Sequence, residues 1–125
     1  MNEHDLVLKE DVFEIVGCAM SVLNGLGCGF AEKVYENAMA IELEEKGIAF
    51  DRQKPFDVMY KGKNVGHYIP DIIVNNQVIV ELKTIESIGK NEVVQVLNYL
   101  KGTNKRIGII LNFKHAKLEW KRVVF

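Results

Sequence analysis

The sequence predicts a single α+β domain spanning residues 1–125, a mixed β-sheet flanked by helices. Three observations carry that expectation. Apolar residues recur at helical spacing up to about residue 46, and the period then shortens to strand-like alternation. One further helical stretch separates two final strand runs from the rest. A chain of 125 residues is also about the size of one domain and can enclose its own core.

Taken in order, Val12, Ile15, Val16, Ala19 and Leu23 line one side of a helix over about 8 to 25, and "NGLGCG" stops it. A second helix is expected over about 30 to 46, with Phe30, Val34, Ala38 and Ile41 as its apolar face and Gly47 at its end. "IAFDRQ" and "FDVMYKGKNVGHYI" then read as strands, the second turning back at "KGKN". Residues 70–83, "PDIIVNNQVIVELK", supply a further hairpin. A third helix is expected over about 90 to 102, followed by the strand "RIGIILNF" and a last strand around "LEWKRVVF".

With 48% hydrophobic and 26% charged residues, the composition is that of an ordinary globular protein. The polar, acidic start "MNEHDLVLKEDVFE" does not read as a secretory leader, and no apolar run approaches the roughly 18 residues of a membrane span. A cytoplasmic location is therefore expected. Cys18 and Cys28 have neither disulfide-type nor zinc-type spacing and read as buried or semi-buried thiols. His4, His67 and His115 are scattered, and "NGLGCGF" lacks both the preceding strand and the spacing of a phosphate-binding loop. The net charge of −1 hides an asymmetry. Residues 1–98 hold nine Lys/Arg against sixteen Asp/Glu, whereas residues 99–125 hold seven against Glu119 alone. That basic end reads either as a patch for phosphates or as a solvated strand edge guarded by lysines.

The 70–83 hairpin carries the chemistry. A two-residue type I′ turn at Asn75-Asn76 would put Asp71 opposite Val80, and both faces would then mix charges with aliphatic side chains, which is costly. A register shifted by one, through a three-residue loop or a bulge, sets Asp71 opposite Glu81. Ile72, Val74, Val78, Val80 and Leu82 then form one apolar face, at roughly 1.5–3 kcal/mol for each buried side chain. Asp71, Glu81 and Lys83 gather on the other, and this register is the expected one. Two adjacent carboxylates repel unless a cation lies between them, and such oxygen donors suit Mg²⁺ or Mn²⁺. The Lys83 ammonium, two residues beyond Glu81 on the same face, suits an attacking water or a phosphate. The blander alternative is a solvent-facing Glu-Lys pair with an Asp at a strand start.

"PD" at 70–71 followed by "ELK" at 81–83 resembles the PD-(D/E)xK motif of restriction-endonuclease-like nucleases. "QVLNY" on the third helix is similar to the QxxxY motif found in some of them. Gln95 and Tyr99 share a helix face opposite Val93, Val96, Leu97 and Leu100, and would reach a phosphate or a base. Upstream, "GFAEKVY" sets Gly29, Glu32 and Tyr35 as GxxExxY. Together with "YKGKNVG", "QVLNYLKGT", "GIILNF" and "KRVV", nearly the whole chain resembles the GxxExxY protein family within the PD-(D/E)xK nuclease-like superfamily. The resemblance implies a restriction-endonuclease-like αβββαβ core with an extra N-terminal helix, and Mg²⁺- or Mn²⁺-dependent phosphodiester hydrolysis. It implies a metal held by Asp71, Glu81 and the Leu82 carbonyl, with Lys83 serving the water and Glu32 as a further acidic site residue. Gln95, Tyr99 and Tyr35 would contact substrate or support the site, and Gly29 would turn the chain. Where members often carry a histidine three residues before the glutamine, this chain has Glu92.

Three functional classes follow. One is a metal-dependent nuclease acting on DNA or RNA, with affinity drawn from the basic 99–125 segment. Another is a catalytically silent nuclease-fold domain that binds nucleic acid or a protein partner. The third is an interaction module such as a homodimer joined through "LEWKRVVF", whose Trp120, Val123, Val124 and Phe125 either meet a partner or close the core.

Overall fold

Helix α1, Glu3–Leu26, and helix α2, Glu32–Glu45, lie side by side in the computed structural model, which describes residues 3–125 and side chains from Leu8 onward. His4 therefore falls outside the described side chains. Helix α1 buries Leu8, Val12, Ile15, Val16, Ala19, Val22 and Leu23, the face its spacing predicts. It ends where Gly27 turns to φ 80° and donates its N–H to the Leu23 carbonyl at 2.8 Å. Gly29, at φ 96°, occupies a backbone region that side chains disfavour and carries the chain into α2.

The buried face of α2 differs from expectation. Tyr35, Glu36, Met39, Ala40 and Leu43 point inward, while Phe30, Val34 and Ile41 are exposed. Apolar residues occur on both sides of this helix, so periodicity alone did not separate the faces. The buried Glu36 is tolerated because cations and amides surround it.

Seven strands follow: β1 Phe50–Arg52, β2 Phe56–Tyr60, β3 Lys63–Tyr68, β4 Ile72–Val74, β5 Val78–Lys83, β6 Ile107–Asn112 and β7 Glu119–Val124. Five form a mixed sheet in the order β1-β4-β5-β6-β7, with β5 and β6 parallel and every other pair antiparallel. Helix α3, Lys90–Thr103, supplies the crossover that a parallel pair needs. Strands β5 and β6 are buried on both faces, which explains their continuous aliphatic runs. Strands β2 and β3 do not extend this sheet. They form a separate hairpin, whose Phe56, Val58 and Tyr68 pack toward α3 and the sheet face beneath it.

The core has two layers. Helices α1 and α2 cover the face carrying Ile72, Val74, Val78, Val80, Leu82, Ile109 and Leu111. Helix α3 and Tyr68 cover the opposite face, which carries Ile73, Ile79, Ile110 and Val123. Gly108 makes the second layer possible, since a Cβ there would lie 2.6 Å from Val96 Cγ1.

The hairpin register is the shifted one, with Ile72 opposite Val80 and Val74 opposite Val78. The turn and the apolar pattern turn out not to conflict. Asn75 and Asn76 both take positive φ, at 52° and 54°, and Gln77 N–H closes the turn on the Val74 carbonyl at 2.9 Å. Gln77 is then the extra residue that sets the register. One thiol expectation fails: Cys18 is buried, but Cys28 is exposed in the loop between α1 and α2, whose residues pack on little.

Candidate metal and active centre

Continuing the β4–β5 register by one residue sets Asp71 opposite Glu81, beside Lys83, at the end of the sheet away from the Asn75-Asn76 turn. Asp71 Oδ2 accepts the Leu82 N–H at 2.8 Å. A strand residue's N–H and C=O point to the same edge, so the Leu82 carbonyl also faces Asp71. The Lys83 carbonyl faces the other way and accepts the Phe113 N–H at 2.9 Å. Two carboxylates and a main-chain carbonyl thus converge on one edge.

Glu81 is 8% exposed. Burial, and then the neighbouring Asp71 carboxylate, push its pKa up to about 8, against the opposing influence of Tyr68 and Lys83. The Tyr68 hydroxyl donates to Glu81 Oε1. Burial and the Glu81 charge raise the Tyr68 pKa strongly, so this hydroxyl keeps its proton. The Tyr68 ring stacks on Tyr99 at 3.3 Å between centroids and 14° between planes. The Gln95 side chain lies near the Tyr99 hydroxyl, where it works against the burial that raises the Tyr99 pKa. Gln95 is exposed and Tyr99 half-buried, so the aromatic partner of Tyr99 is Tyr68.

Glu32 opens α2 and accepts hydrogen bonds from Thr84, from its N–H at 3.2 Å and its Oγ1 at 3.4 Å. This fastens α2 to the chain just beyond Lys83. Glu32, Lys33, Glu36, Gln53, Asp71 and Leu82 line a cleft of about 330 Å³. Tyr35 does not reach it. Its side chain is fully buried, stacked on Phe113 at 4.4 Å, with its hydroxyl donating to the Gly27 carbonyl at 2.7 Å. The expectation of a substrate contact at Tyr35 is therefore corrected: it braces the α1–α2 loop, whose Phe30 N–H also bonds its oxygen at 3.1 Å. Glu92 accepts the Gly89 N–H at 2.7 Å and caps α3.

Three contributors went unread in the sequence. Tyr68 is one. Glu36 is the second: burial works to raise its pKa, but hydrogen bonds from Lys33, Arg52 and Gln53 outweigh it and hold the carboxyl below its usual range. Its partners lie at 3.0 Å (Lys33 Nζ), 2.8 Å (Arg52 Nε) and 2.7 Å (Gln53 Nε2). The readable signal was a Glu one turn before Met39 and Ala40. The third is Asn112, buried at the end of β6. Its oxygen accepts the Ile85 N–H at 3.0 Å, and its amide donates to the Ile85 carbonyl at 2.8 Å and Glu119 Oε1 at 2.9 Å. It pins the loop after β5 over the site end.

Among the described residues no three His, Cys, Asp or Glu side chains gather as a metal-ligand group. The donors present are two carboxylates and a carbonyl. An all-oxygen set of this kind fits a hard divalent ion that keeps several waters and takes further oxygens from a phosphate.

A mixed sheet of this topology, with PD and ELK brought to one edge, defines a nuclease-type fold. The chain belongs to the PD-(D/E)XK nuclease superfamily, whose pattern it matches over residues 9–123. An alkaline exonuclease from Laribacter hongkongensis is similar in structure, at 11% sequence identity and a TM-score of 0.44, over 74% of this chain and 55% of that one. The chain thus spans little more than half of that protein's length. No curated protein matches it. No described helix is long and apolar enough to cross a membrane.

Proposed function

We propose that this domain is a divalent-metal-dependent nuclease of the GxxExxY kind that hydrolyses phosphodiester bonds of DNA or RNA, using Mg²⁺ or Mn²⁺. The observation that carries the reading is the β4–β5 register, which continued by one residue sets Asp71 opposite Glu81, together with the Leu82 N–H donating to Asp71 Oδ2. Asp71, Glu81 and the Leu82 carbonyl would hold the ion, which when bound would supply Lewis acidity and lower the pKa of a water. Lys83 orients the attacking water and offsets charge building on the phosphate oxygens. Glu32 holds the Thr84 segment beside Lys83 and offers a further acidic oxygen. Gln95, one of the exposed polar residues of α3, reaches substrate.

The test is cleavage of single-stranded, duplex and structured DNA and RNA with Mg²⁺ or Mn²⁺, alongside Asp71→Ala and Glu81→Gln. Wild type should cut at least one substrate, and both variants should fall to background. Should no substrate be cut with either metal, the nuclease reading fails.

The competing reading is a silent nuclease-fold module. Favouring it, Phe13 and Met20 of α1 and Trp120 of β7 line one apolar groove and are substantially exposed. A homodimer across β7 is its simplest form, and light scattering reads its mass directly.

A further inference from the structure

We infer that Tyr68 is a positioning residue for the metal-binding carboxylate of Glu81, and that the QxxxY pair acts on the site through it rather than by touching substrate alone. The inference rests on the nuclease reading and adds a residue that no sequence motif contains.

A carboxylate on a flexible side chain can swing between several orientations, and metal affinity suffers unless a neighbour restricts it. The Tyr68 hydroxyl donates to Glu81 Oε1 and leaves the second oxygen for other partners. Tyr68 is itself held firmly. It is 7% exposed, its backbone pairs with Phe56 at the base of the β2–β3 hairpin, and its ring lies flat on Tyr99. Tyr99 is carried by α3, which Val96 and Leu100 root in the core against Ile73, Ile79 and Ile110. Gln95, one turn before Tyr99 and exposed, lies beside it on the same face of α3.

The chain of contacts thus runs from an exposed glutamine through two stacked rings to the buried carboxylate of Glu81. The hairpin that carries Tyr68 lies outside the main sheet. Its contact with Glu81 therefore links an otherwise peripheral element to the site. Purely structural service is the competing account, since a buried carboxyl needs a donor wherever it occurs. The two accounts differ in what happens to the metal.

The experiment is calorimetric titration of Mn²⁺ into metal-free wild type, Tyr68→Phe and Tyr99→Leu, with thermal melts of all three. Tyr68→Phe keeps the stacked ring and removes only the hydroxyl. Its Mn²⁺ affinity should fall about 10- to 100-fold, the usual cost of losing a partner that orients a ligand, while the metal-free melting midpoint stays close to wild type. Tyr99→Leu removes the stacking surface at a half-exposed position and should weaken Mn²⁺ binding several-fold. If Tyr68→Phe binds Mn²⁺ as tightly as wild type, or more tightly, Tyr68 does not position Glu81 and the inference is overturned, with the nuclease reading left standing. A wild type that takes up no Mn²⁺ overturns both. Should Tyr68→Phe fail to fold, Tyr99→Leu decides, and unchanged affinity there overturns the inference.

Discussion

Glu81 meets opposing demands at one carboxyl group. Burial and Asp71 favour its proton, whereas the Tyr68 hydroxyl and Lys83 favour its charge, and the balance puts its pKa at about 8. An unfolded glutamate releases its proton near 4.3. Between those values the native metal-free protein holds a proton that the unfolded chain has lost. Stability then falls as pH rises through the window and levels off above it. Urea denaturation in chelator should show this decline from pH 5 to pH 8, and Glu81→Gln should flatten the part due to this residue. A divalent ion needs the charged form, so its uptake at pH 7 should release close to one proton. Affinity should strengthen about tenfold per pH unit below that pKa. Titration in buffers of different ionisation enthalpy reads the proton directly, and no proton release would mean that Glu81 is already ionised in the metal-free protein or is not a ligand. The sequence made Asp71, Glu81 and Lys83 visible because each interrupts an apolar alternation. Tyr68 interrupts nothing, so its contact emerges only when the hairpin folds back over α3.

Elements dock here through a few close contacts, among them α3 on β6. Gly108 lies under Val96, whose branched side chain is almost fully buried and stiff at χ1. Gly→Ala in a strand normally gains by restricting the unfolded chain. Here the new methyl group would lie 2.6 Å from Val96 Cγ1, and α3 must shift to admit it. Gly108→Ala should destabilise by roughly 1–3 kcal/mol in urea denaturation, and Val96→Ala in the same chain should cost less than additivity requires. Because α3 also carries Tyr99, the single variant should weaken Mn²⁺ binding. Element order, the third helix and the hairpin register were legible, since each rests on local period. The inward face of α2 was not. Glu36 becomes a buried residue only when Arg52 and Gln53, 16 and 17 positions away, arrive beside it. No periodicity encodes such a pairing.

The whole molecule has two ends, and the topology sorts the charges between them. Parallel strands β5 and β6 finish together, Lys83 beside Asn112, so the loop after β6 emerges at the site end. Lys114, His115 and Lys117 are exposed on that loop, and His115 Nε2 lies 2.8 Å from the Glu86 carbonyl across the neighbouring loop. Lys105 lies at the opposite end, where its ammonium donates to the Asn76 carbonyl at 2.9 Å. The basic run of residues 99–125 is contiguous in sequence but divided in space, which a charge count along the chain does not reveal. A nucleic-acid strand crossing Asp71 and Glu81 would meet Lys114 and Lys117 and miss Lys105. The double variant Lys114→Ala/Lys117→Ala should therefore weaken binding of a catalytically inert Asp71→Ala protein to oligonucleotides. It should also reduce the slope of log K against log salt by about 1 to 2, as expected for two lost phosphate contacts. Lys105→Ala should leave both quantities unchanged. Fluorescence anisotropy at several salt concentrations separates the outcomes. Equal losses from the two ends would mean that substrate does not enter at the carboxylate edge, and that the basic residues act only through net charge.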